Sequence, residues 1–83
     1  MRSLQFIDDM VQKATGLYLQ RCKRDGYVFD QPSSYGSDIE EVGDKQYVVL
    51  RNCNGPLAVY SFDPDTERMR FVPEDKVPKE VVA

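Results

Sequence analysis

A chain of 83 residues, 41% hydrophobic and 30% charged, is long enough for one modest core and too apolar for a disordered tail. Its 14 acidic and 11 basic residues give a formal net charge of −3, which argues against a nucleic-acid partner, since phosphates are usually met by a basic domain. The chain has no histidine, and so lacks the commonest general base and the commonest metal ligand.

The N-terminal residues MRSLQFIDDM carry Asp8 and Asp9 and no apolar signal-peptide core. No apolar run approaches the length of a membrane span. The expectation is a cytoplasmic protein with no membrane partner, in which Cys22 and Cys53 are free thiols.

The spacing predicts one helix from Ser3 to Arg24, about six turns long. Ser3 is placed to cap it, Asp8 and Asp9 sit near its positive end, and Arg21, Lys23 and Arg24 meet its negative end. Gly26 suits the left-handed position just past the last turn. Leu4, Ile7, Met10, Val11, Ala14, Leu17, Tyr18 and Cys22 form an apolar stripe at helical spacing, with Phe6 and Leu19 outside it. Gly16 weakens the helix interior by about 1 kcal/mol relative to alanine. Tyr27-Val28-Phe29 reads as a short extended piece, and residues 30–37 read as a loop from Pro32, Gly36 and three serines.

From residue 37 to 72 the pattern is that of a four-stranded antiparallel meander. A Gly43-Asp44 turn pairs Val42 with Lys45 and Ile39 with Val48. Two loops fit Asn52–Pro56. A two-residue Asn54-Gly55 turn puts Leu50 opposite Val59, whereas a loop with Gly55 in a bulge puts Leu50 opposite Ala58. Because a one-residue slip exchanges the faces, packing selects the bulge. It gathers Val48, Leu50, Ala58, Tyr60 and Phe62 on one face, to which a four-residue Asp63–Thr66 loop reaching Glu67 adds Met69 and Phe71. The opposite face then carries Glu40, Tyr47, Val49, Arg51, Leu57, Val59, Ser61, Arg70 and Val72, and a single helix leaves it in solvent. The tail, residues 73–83, reads as an extended, loosely held segment with a short turn after Pro73, in which Val81-Val82 could dock on a neighbour.

The chemistry available is sparse. No phosphate-cradling glycine loop occurs, and the carboxylate pairs Asp8-Asp9, Glu40-Glu41 and Glu74-Asp75 read as solvated surface. The Asp63–Thr66 run is explained by a turn and lacks the glycine and distal glutamate of a calcium loop. Neither a metal nor a cofactor is expected, and neither is an enzyme.

The residues YVVLRNCNGPLAVY (Tyr47–Tyr60), preceded by GSDIEE (Gly36–Glu41), resemble a group of small uncharacterised cyanobacterial proteins with a YVVLRN–NG–LAVY core ahead of a basic strand and a proline-containing tail. The resemblance spans about the C-terminal half. The chain departs from it in its acidic Asp63–Glu67 turn and its longer N-terminal helix. It implies a soluble bacterial protein, and the family has no established activity from which to carry over a site.

The expected architecture is therefore a single α+β domain over residues 1–83, with one long N-terminal amphipathic helix packed on a four-stranded antiparallel β-meander. The leading functional expectation is a non-enzymatic protein-interaction module of unknown partner, self-associating as a homodimer through Tyr47, Val49, Arg51, Leu57, Val59 and Arg70. The alternative is a small nucleic-acid-binding regulator contacting phosphates through Arg21, Lys23 and Arg24, with Arg51 and Arg70 from the sheet.

Overall fold

A computed structural model describes residues 4–33, 36–63, 65–66 and 68–82, with the side chain of Val82 left out. Ser3, the expected helix cap, and Pro64 and Glu67 of the acidic turn lie outside the described residues. The order of elements is α1 (Leu4–Asp25), β1 (Asp38–Val42), β2 (Lys45–Asn52), β3 (Gly55–Phe62), β4 (Met69–Val72), a 3-10 turn (Glu74–Lys76) and a short α2 (Lys79–Val82). The strands form one antiparallel sheet in the order β1-β2-β3-β4, so the α+β meander under a long helix is the fold.

Helix α1 buries Met10, Ala14 and Cys22, and Phe6, Val11 and Tyr18 pack partly beside them. Phe6, Met10, Ala14, Tyr18 and Cys22 are spaced by four, a row that winds slowly around the helix. The buried stripe follows this row. Phe6, expected off the stripe, packs with its ring 6.4 Å from that of Phe62, while Leu4 and Leu17 are left exposed. Gly26, at φ +76°, ends the helix, and the Tyr27 amide donates back to the Cys22 carbonyl at 2.9 Å. The following Tyr27-Val28 joins no strand and stands in solvent, with Phe29 turned back against the Tyr18 ring.

The sheet register agrees with the pattern reading at β1–β2, where Val42 faces Lys45 and Ile39 faces Val48. At β2–β3, Leu50 faces Ala58, the register that the bulge reading selects. The extra residue falls two positions beyond its expected place at Gly55. Asn52 pairs with Gly55 and Arg51 with Pro56, which leaves Leu57 as the inserted residue. That insertion swings Leu57 against the helix-side core, which corrects its assignment to the outer face. Strand β4 also starts two residues later than a four-residue loop requires, pairing Phe62 with Met69 and Tyr60 with Phe71. An even shift preserves the faces, so Met69 and Phe71 still point toward α1.

The tail makes the expected turn after Pro73 but, in place of ending loose, docks on its own sheet. Pro73 leads into the 3-10 turn and Pro78 into α2, each ring fixing φ where a turn begins. Val77 and Val81, four residues apart, then lie on the outer sheet face. Val81, Val49, Val59 and Tyr47 form a second core there, with Val42, Val72 and Val77 around it. The sheet is thus covered on both sides, and Tyr47, Val49 and Val59, expected in solvent, are buried at 6%, 0% and 5% exposure. Burying three such side chains is worth several kcal/mol at about 1.5–3 kcal/mol each, which explains why a tail with two prolines is held in place.

Candidate functional site

Residues directly opposite one another in an antiparallel sheet share a face. The pairing therefore sorts the outer face into rows: Val49–Val59–Val72, then Tyr47–Ser61–Arg70, then a last row with Lys45 on β2. The C-terminal segment sits on the valine row. It leaves the opposite end of the face open, and there the sheet forms a groove of about 690 Å³.

The groove runs from the β1–β2 turn to the β3–β4 turn. Lys45, Arg68, Arg70 and Lys76 line it, against the two carboxylates of Asp44 and Asp63. Its floor is made of Tyr47 and Ser61. All four cations are exposed, and among the described residues none of them is held in an ion pair. At the β3–β4 turn an Asp63 carboxylate oxygen accepts from the Asp65 amide at 2.9 Å, and the Arg68 carbonyl accepts from the Asp63 amide at 3.1 Å. In a chain of net charge −3, the groove gathers four cations against two carboxylates, a local excess of positive charge.

The basic residues expected to act together are divided among three places. The Arg21 guanidinium lies 3.7 Å from the centre of the Phe71 ring on the helix side and 3.9 Å from the Asp25 carboxylate. Arg24 pairs with Asp25 at 3.3 Å, and Lys23 extends into solvent at the helix end. Arg51 is structural: its two terminal nitrogens donate to the carbonyls of Gly36 at 3.0 Å and Val81 at 2.9 Å. Of the expected residues only Tyr47 and Arg70 line the groove, joined by Lys45, Arg68 and Lys76. Lys45 and Arg68 are two residues ahead of Tyr47 and Arg70, so strand alternation alone places them on the same face. Lys76 could be placed only once the tail had folded back.

On the helix side, the Tyr60 hydroxyl is buried without a hydrogen-bond partner among the described residues. Burial pushes the phenols of Tyr60 and Tyr18 above their ordinary range, with Arg21 opposing the shift at Tyr60. Cys22 is buried and Cys53 is exposed in the β2–β3 turn, neither of them bridged. Among the described residues no cluster of carboxylates and thiols could hold a metal ion, and no helix is long and apolar enough to cross a membrane.

No protein-family model, curated protein or solved structure matches the chain.

Proposed function

We propose that the chain is a small, non-enzymatic interaction module that binds an acidic segment of a partner protein in the cation-lined groove of its outer sheet face. One observation carries this reading: Lys45, Arg68, Arg70 and Lys76 converge on one open groove, with no ion pair to any described residue. Nature usually spaces like charges apart, because each added cation raises the local potential, and the natural relief is an anionic ligand. The acidic balance of the whole chain favours a protein over a nucleic acid, since the rest of the surface would repel a long polyphosphate.

Self-association belongs to this reading in an altered form. Val49 and Val59 are covered by Val77 and Val81, so a homodimer through that face requires the C-terminal segment to leave it. The resemblance of Tyr47–Tyr60 to the small cyanobacterial proteins adds a bacterial, cytoplasmic setting to the proposal.

The test is the binding of a fluorescein-labelled oligoglutamate, followed by anisotropy at low and moderate salt. The expected result is saturable binding that weakens with salt and is lost in Lys45→Glu and Arg70→Glu, but kept in Lys23→Glu. Binding that ignores both groove substitutions, or no binding at low salt, overturns the reading.

A further inference from the structure

The groove ends at strand β4, and β4 is an edge of the sheet. Along an antiparallel pair, residues alternate between those that exchange hydrogen bonds with the neighbouring strand and those that turn both backbone groups away from it. The Asp63 amide donates to the Arg68 carbonyl at 3.1 Å, which sets the phase. With Ser61 facing Arg70 and Val59 facing Val72, those pairs bond inward, and Met69 and Phe71 direct their amides and carbonyls to the open side.

We infer that the partner's acidic segment binds as a fifth strand along β4, in extended conformation, with acidic and apolar side chains alternating. This assignment rests on the anion-binding reading of the groove. Successive side chains of such a strand point to opposite faces. Those on the outer face enter the groove beside Arg68 and Arg70, where carboxylates complete the charge. Those on the helix face meet Met69 and Phe71, each half-buried and each bordering a recess. One recess holds Gly16 and Leu17 beside Met69, and the other holds Tyr18, Arg21 and Leu57 beside Phe71, whose ring the Arg21 guanidinium covers at 3.7 Å. Nothing lies within 4 Å of where a side chain on Gly16 would begin, and Leu17 is 39% exposed, so the first recess is open to an incoming aliphatic group. Backbone bonds to the edge supply affinity in this mode of recognition, and the alternating pockets supply specificity.

The edge itself disfavours a second copy of the chain. An antiparallel pairing of β4 with β4 about Arg70 sets two arginines directly opposite, which destabilises the pair. Arginines at this edge thus guard against self-pairing while selecting an acidic strand.

The experiment is an NMR titration of the whole chain with three short peptides: one alternating glutamate and valine, its lysine–valine counterpart, and the glutamate–valine peptide N-methylated at alternate residues in each phase. The expected result is binding of the acidic peptide and none of its lysine–valine counterpart, with affinity reduced by roughly tenfold or more in one N-methylated phase and kept in the other. The Met69 and Phe71 amides should slow in hydrogen exchange by a similar factor on binding. If both N-methylated phases bind as tightly as the parent, or those two amides exchange unchanged in the complex, strand addition is overturned while the groove reading stands. If no acidic peptide binds, or the lysine–valine peptide binds as tightly, both fall.

Discussion

The Arg51 guanidinium donates to the Val81 carbonyl at 2.9 Å, tying the middle of the sheet to a helical turn thirty positions further on. Its other terminal nitrogen holds the Gly36 carbonyl at 3.0 Å. The backbone of Arg51 is held as well, because the Ser37 hydroxyl both accepts from its amide and donates to its carbonyl, and the Ser33 amide reaches the same carbonyl. Gly36 packs closely here, since a Cβ on it would stand 3.1 Å from the Ser33 hydroxyl and 3.2 Å from the Cβ of Arg51, so both would have to give. One residue thus locks Ser33, Gly36 and Ser37 and the C-terminal segment onto β2.

Replacing Arg51 with alanine removes two charge-assisted hydrogen bonds and leaves two carbonyls short of a donor. The expected cost is about 2–4 kcal/mol in urea unfolding, with limited proteolysis cutting first after the sheet. A loss below about 0.5 kcal/mol would contradict the role given to Arg51.

Val81→Lys should strip the cover from Val49 and Val59 without touching the helix-side core. The expected outcome is increased binding of a hydrophobic dye and concentration-dependent association in light scattering, as the bared row seeks a new partner. A variant that stays monomeric and dye-free would show that the segment is not what keeps this face from associating.

Leu50 is fully buried beneath Met10 and Ala14 on the helix side. Leu50→Ala is expected to cost about 2–5 kcal/mol, enough to unfold much of a chain this small. Circular dichroism melting reads the effect directly, and a loss under about 1 kcal/mol would contradict the Leu50–Ala58 register.

The Tyr60 hydroxyl is buried with no partner among the described residues, so Tyr60→Phe should stabilise the fold by about 1 kcal/mol. The pH dependence follows from the same burial. The phenols of Tyr60 and Tyr18 are raised above 10.0 in the folded chain, so folded and unfolded states hold their protons alike below that value. Above it the unfolded chain ionises first, and stability falls as pH rises toward the folded values. The urea midpoint should therefore drop at alkaline pH, and drop less steeply in Tyr60→Phe. Equal slopes would place the alkaline loss elsewhere.

The sequence made the helix, the four strands and the registers around Leu50 legible, because alternation and turn chemistry both pointed to one apolar face. Three things escaped it. The tail's docking rests on Val77 and Val81, whose four-residue spacing is a helical signal too short to stand against two prolines. The place of Leu57 depends on where a bulge falls, and no side-chain pattern marks the choice between Gly55 and Leu57. Arg51 and Arg70 look alike as outer-face arginines, yet only Arg51 lies within reach of the returning chain. The groove was half-visible, since Tyr47 and Arg70 were on the right face, but its other cations flank turns or belong to the tail.

The most direct measurement is an amide-resolved NMR titration of the folded chain with an acidic peptide at low ionic strength. Shifts are expected at Lys45, Ser61, Arg68–Phe71 and Lys76, and at Gly16 and Leu17 beside Met69, with Val49, Val59 and Val81 unmoved beneath the C-terminal segment. Shifts centred instead on Arg21–Arg24, or on the covered valine row, would contradict it.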